Sequence, residues 1–112
     1  NISLSNLTTL RSIDLSSNKI NYFSKKSLKQ LPHLTEIILS NNNLEDIEPF
    51  AFKDLVNLRV LGLNYNKLRF LRENVFFNLT NLILLILNNN YLEIIEKFYF
   101  SNLKNLAVLI LS

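Results

Sequence analysis

Residues 58–68 read Leu58-Arg59-Val60-Leu61-Gly62-Leu63-Asn64-Tyr65-Asn66-Lys67-Leu68. The same framework stands 24 residues earlier at Leu34, Ile37, Leu39, Asn42 and Leu44, and 24 residues later at Leu82, Leu85, Leu87, Asn90 and Leu92. With Leu10 as position 0, the register runs the length of the chain without insertion or deletion. Position 3 is Ile13, Ile37, Leu61, Leu85 and Leu109, and position 5 is Leu15, Leu39, Leu63, Leu87 and Leu111. Positions 10, 13, 18 and 21 are apolar in every full repeat, with Phe52, Phe76 and Phe100 at position 18. In a chain that is 48% apolar, independent placement would fill these columns with a probability on the order of 10⁻¹⁰, so the period is real.

The period divides the chain into a partial repeat at 1–9, full repeats at 10–33, 34–57, 58–81 and 82–105, and a partial repeat at 106–112. Leu4 and Leu7 fit positions 18 and 21 of the preceding turn. Positions 2 to 6 alternate between outward and inward side chains, the period of a short strand. One such strand cannot bury its face alone, so neighbouring repeats must stack in parallel about 4.8 Å apart and share a core. The bulkier Phe-and-Leu return segment splays the other side and curves the stack. Position 8, Asn18, Asn42, Asn66 and Asn90, is expected to be a structural ladder, because a buried amide satisfies backbone groups of adjacent turns.

The pattern L-x-x-L-x-L-x-x-N-x-L resembles the leucine-rich repeat, and the resemblance covers the whole chain. The 24-residue length and the Phe at position 18 look like the typical class found in extracellular receptors and matrix proteins, Toll-like receptors, Slit-type proteins and lamprey variable lymphocyte receptors among them. The resemblance implies an α/β-type solenoid. In this right-handed coil, short parallel strands form the concave face and irregular or 3-10 segments form the convex face. Terminal caps are absent, so the chain reads as an uncapped internal piece of a longer array.

The outward strand positions then form the candidate binding face. They are polar in the first repeat, with Ser12, Asp14 and Ser16, and turn apolar from the third. Contiguous exposed apolar side chains mark interaction surfaces, and aromatic anchors are enriched there. Val60, Gly62, Tyr65, Leu84, Ile86, Asn88, Tyr91, Val108 and Ile110 are therefore the candidate partner-binding residues, with Gly62 leaving a dent between Ile38 and Ile86. The competing reading is that Val and Ile here are only good strand formers. Two charge columns are expected to alternate across repeats, with Arg69 between Glu45 and Glu93 and Arg72 between Glu48 and Glu96. Lys19, Lys25, Lys26 and Lys29 make the first repeat basic, most simply as a solvated face.

Asn1-Ile2-Ser3, Asn6-Leu7-Thr8 and Asn78-Leu79-Thr80 are N-glycosylation sequons. They point to an extracellular or cell-surface ectodomain; the alternative is a cytoplasmic scaffold or regulatory module, or a passive spacer within a longer array. The 112 residues carry a net charge of +3, too small and scattered an excess to argue for nucleic acid, and none is expected as a partner. There is no cysteine and one histidine, His33. No nucleophile, base and orienter come together, and no phosphate loop or metal-ligand spacing occurs. The expected partner is a protein or peptide ligand, with no cofactor, no metal and no catalysis. A homodimer through the apolar concave surface or the exposed ends is a further expectation. Contact with a membrane is expected only through parts outside this segment, since the aliphatic runs at 82–87 and 106–111 are too short to span a bilayer.

Overall fold

A computed structural model describes residues 9–28 and 31–112. Five three-residue strands recur at the repeat spacing: β1 (Ser12–Asp14), β3 (Glu36–Ile38), β5 (Val60–Gly62), β6 (Leu84–Ile86) and β7 (Val108–Ile110). They pair in parallel in the order β1-β3-β5-β6-β7. Ile13, Ile37, Leu61, Leu85 and Leu109 lie in one register row. Each strand is short because the chain must turn into the core again after position 5. Backbone bonds continue the ladder beyond the strands, as from Leu39 N–H to the Gly62 carbonyl (2.8 Å) and from Leu63 N–H to Ile86 (2.8 Å).

The return segments are mostly turns, with a second small parallel sheet formed by β2 (Tyr22–Phe23) and β4 (Asp46–Ile47) and one 3-10 turn at Lys97–Phe100. The core fills the space between the two sides. Leu34, Ile37, Leu39, Leu58, Leu61, Leu63, Leu82, Leu85 and Leu87 are fully buried beneath the sheet, and Phe52 and Phe76 fill it from the return side. Phe23 stacks on Phe52 with ring centroids 5.1 Å apart, and Phe76 on Phe100 at 6.1 Å. These rings of the return side therefore pack as two stacked pairs, each spanning consecutive turns.

The columns are not uniformly buried. Leu10, Ile13, Leu15 and Ile20 in the first turn are half-buried, as are Leu92, Leu106 and Leu109 at the other end. Ile95, at apolar position 13, is 44% exposed. A solenoid turn buries its interior against the turn on each side, and within this chain no return segment stacks beyond that of Ile95.

Candidate functional site

The strand alternation places the outward residues on the concave sheet. Val60, Leu84 and Ile86 are half-buried there by their neighbours, while Val108 and Ile110 on β7 are exposed. Register sets Leu84 between Val60 and Val108, and Gly62 between Ile38 and Ile86. Gly62 itself is buried. A Cβ at Gly62 would lie 3.2 Å from Cδ1 of Ile38, so the isoleucine leans into the dent that the missing side chain leaves. The apolar patch thus runs continuously from Ile38 to Ile110.

At the polar end the side chains are engaged locally. Ser12 Oγ donates to Glu36 at 2.7 Å, and the Asp14 carboxylate accepts the Ser16 N–H at 2.9 Å. The Ser16 hydroxyl, then its N–H, hold the Asp14 carboxyl below its ordinary range. The outward columns at positions 2, 4 and 6 contain Asp14 and Glu36 but no lysine or arginine, so the face offers no counter-charge to phosphate.

The rim follows from backbone conformation. Position 7 is left-handed in all four turns, with φ of 58° at Ser17, 58° at Asn41, 57° at Tyr65 and 60° at Asn89. The turn redirects the chain from sheet to core and lifts these side chains outward. Tyr65 and Tyr91 are both largely exposed. Together with Asn41, Asn43, Lys67 and Asn89 they line an open groove of about 520 Å³. Asn88, half-buried beside it, donates to Asn89 Oδ1 at 3.4 Å.

The position-8 amides tie the rim together. Asn66 Nδ2 donates to Leu63 and to Leu39 of the preceding turn, both at 3.0 Å, and its Oδ1 accepts Leu44 N–H at 3.1 Å. Asn42 and Asn90 repeat the arrangement. Asn18, with no described turn before it, is exposed; among the described residues its side-chain amide donates only within its own turn, to Leu15 and Ser16, while its backbone N–H donates to Asn42 Oδ1 at 3.1 Å.

A second amide ladder was not anticipated from sequence. Asn57, Asn81 and Asn105 donate to the carbonyls of Pro32, Val56 and Thr80 at 2.9, 2.8 and 2.7 Å. They lie along the opposite flank, with Arg11 and Arg59, in an open groove of about 760 Å³. The signal was present: position 23 reads His33, Asn57, Asn81, Asn105.

The charge columns stack differently from expectation. Arg72 forms a two-pronged pair with Asp46 (Nε to Oδ1 2.8 Å, Nη2 to Oδ2 2.6 Å) in place of Glu48 or Glu96, and this contact raises its pKa. The flat guanidinium fork matches a carboxylate presented edge-on, which β4 provides at Asp46. Glu48 instead accepts the Lys25 N–H at 2.7 Å. Glu45, Arg69 and Glu93 line one shallow groove, but Arg72 and Asp46 form the only ion pair among the described residues.

Of the sequons, Asn1 and Asn6 lie outside the described residues, as does Lys29 of the basic cluster. Asn78 is exposed, has φ 74°, and donates from Nδ2 to the Lys53 carbonyl at 2.8 Å. Among the described residues no group of His, Cys, Asp and Glu is placed to hold a metal ion, and no helix is long and apolar enough to cross a membrane.

Comparison with known proteins agrees with this architecture. The profile of the family described as "Leucine rich repeat" matches residues 2–44 and 32–92. Among solved structures, the chain is similar to TLR13 in a complex with ssRNA13, at 33% identity and a TM-score of 0.93, over 96% of this chain and 15% of that one. It is also similar to internalin C2 from Listeria monocytogenes str. 4b F2365, at 26% identity and a TM-score of 0.77, over 97% of this chain and 45% of the other. The chain thus spans less than half the length of either. A comparison with curated protein sequences found no match. Because the TLR13 structure holds a single-stranded RNA, a fold of this kind is not closed to nucleic acid, and the expectation of no nucleic-acid partner rests on charge alone.

Proposed function

Since this chain belongs to the leucine-rich repeat family, we propose that it is the ligand-binding segment of an extracellular receptor or adhesion protein, gripping a protein or peptide on its concave sheet. The observation that carries this reading is the row Val60, Leu84, Ile86, Val108 and Ile110, an apolar strip on a face free of Lys and Arg, bordered by the exposed rings of Tyr65 and Tyr91. An apolar centre with aromatic anchors at its edge is the make-up of a protein-binding surface. The role is binding and not catalysis.

The test is a binding comparison on the full-length protein against candidate extracellular ligands. The Leu84→Glu/Ile86→Glu pair should weaken binding at least roughly tenfold, while Phe70→Glu on the return side should not. Unchanged affinity for the concave variant would favour a spacer role. Surface staining of unpermeabilised cells checks the compartment, and a cytoplasmic location would favour the scaffold reading. A dimer through the concave strip predicts concentration-dependent elution that the same Glu pair abolishes.

A second reading follows from the TLR13 complex: a single-stranded RNA, its bases stacked on Tyr65 and Tyr91. The absence of cations from the concave columns disfavours it, because phosphate contacts supply most of such affinity and make it salt-dependent. Salt-sensitive binding of an RNA oligonucleotide, lost in Tyr65→Ala, would favour RNA over protein.

A further inference from the structure

We propose that Asn78 carries an N-linked glycan whose first amino-sugar ring packs on the exposed aromatic pair Phe50 and Phe77. This rests on the extracellular reading above, since the sequon meets a glycosyl donor only in a secretory compartment.

Three features of the convex side meet at this place. The rings of Phe50 and Phe77 pack edge to face with centroids 5.1 Å apart, and both remain exposed. Phe23, Phe52 and Phe76, by contrast, are inside. Phe50 also holds a left-handed backbone, φ 64°, with its N–H on the Asn74 carbonyl at 3.0 Å. Asn74 holds the same turn one repeat later, φ 65°, but a bulky phenylalanine in that region is strained, and its retention here beside an exposed ring motivates a functional reading. Finally, the Asn78 amide is anchored to the same turn: its Nδ2 donates to Lys53 at 2.8 Å, and Lys53 N–H donates to Phe50 at 3.2 Å.

The coincidence is confined to one repeat. In the last three full repeats position 20 is Asp54, Asn78 and Asn102, and the residue before each is Lys53, Phe77 and Ser101. Asn102 is followed by Leu103 and Lys104, so it is no sequon. Among these three repeats the aromatic side chain precedes only the asparagine that has Thr80 two residues on.

The chemistry is compatible with the anchored amide. Nδ2 bonds to C1 of the sugar of a lipid-linked oligosaccharide diphosphate, the C1–O bond to the diphosphate breaks, the lipid diphosphate leaves, and one Nδ2 proton passes to a base of the transferase. One N–H remains for the Lys53 carbonyl. Leu79 is completely buried, so transfer precedes folding, and the glycan then comes to lie over Phe77. An amino-sugar ring has a face of C–H bonds, which the electron-rich faces of aromatic rings attract, and stacking there removes apolar surface from water.

The experiment uses the full chain secreted from eukaryotic cells, with Asn78 occupancy read by peptide mass spectrometry after enzymatic deglycosylation. Thr80→Ala abolishes the sequon and keeps the asparagine. The occupied protein should melt roughly 4 °C above Thr80→Ala. Repeating the pair in a Phe50→Asn/Phe77→Ser background should close most of that gap; these are the residues at the same positions one turn later, Asn74 and Ser101. An unoccupied Asn78 on a secreted chain overturns this inference alone, as does a gap that survives loss of the rings. Retention of the full-length protein in the cytoplasm overturns it together with the extracellular reading.

Discussion

The side-chain amide of Asn66 and the carbonyl of Leu39, 27 positions apart in sequence, meet at 3.0 Å. The same amide reaches Leu63 of its own turn, and its oxygen receives the Leu44 N–H. One side chain therefore satisfies backbone groups of two consecutive turns where water does not reach, Asn66 being 5% exposed. The concave rim owes its shape to that stitch, because it fixes where each turn leaves the sheet.

Asn66→Ala should destabilise the chain by about 1–3 kcal/mol, the cost of leaving buried backbone groups unpaired. Asn18→Ala, at the exposed end of the same column, should cost less than about 0.5 kcal/mol. Denaturant melts of both variants check the difference; equal losses would mean that burial is not what gives the ladder its weight.

Tyr65 stands in a column otherwise filled by Ser17, Asn41 and Asn89, all with positive φ. Asparagine tolerates that backbone region better than a bulky residue. Tyr65→Asn should thus stabilise the fold by roughly 1 kcal/mol while weakening ligand binding at the rim. A thermal melt and a binding curve on the same preparation read both signs, and a variant that loses stability would contradict the account of strain.

Gly62→Ala should be neutral or stabilising by less than about 1 kcal/mol. Gly62 has no positive φ, so alanine restricts the unfolded chain without backbone strain. The new methyl comes close only to the flexible end of Ile38, Cδ1 at 3.2 Å; Ile38 Cγ2 and Asn64 Oδ1, both at 3.7 Å, are ordinary contacts. Chemical denaturation measures the net effect, and a marked loss would show that Ile38 has nowhere to go.

Asp14 makes acid sensitivity local. Its carboxyl titrates below the ordinary 3.8 because the Ser16 hydroxyl and N–H favour the charged form. A lowered folded value means that the contribution is complete above the unfolded pKa and is lost as pH falls below 3.8 through the folded value. NMR titration of the Asp14 carboxyl should show a low midpoint that rises towards 3.8 in Ser16→Ala. An unmoved midpoint would assign the shift elsewhere.

Much of the fold was legible because a repeat of 24 residues samples each environment several times. The apolar columns, the parallel strands and the position of the outward face all follow from that redundancy. The exposure of Ile95 did not, since column membership cannot say whether another turn lies above. The pairing of Arg72 with Asp46, 26 residues away, was hidden because whole columns were aligned at the repeat spacing. The true partner stood two positions off register, on β4 of the small sheet. The Asn57, Asn81 and Asn105 ladder was overlooked for the opposite reason: asparagine is so frequent here that one more column of it carried little contrast.

Sequence by itself determined which side chains face in, because burial of one apolar stripe per turn has a single solution in a stack of identical turns. Tertiary structure alone decided how the outward residues meet. It tilts Ile38 over Gly62, lifts Tyr65 on a left-handed turn, and brings Asn78 to the turn of Phe50. Those outcomes depend on rotamers, on backbone strain and on contacts between neighbouring turns, and periodicity contains none of the three.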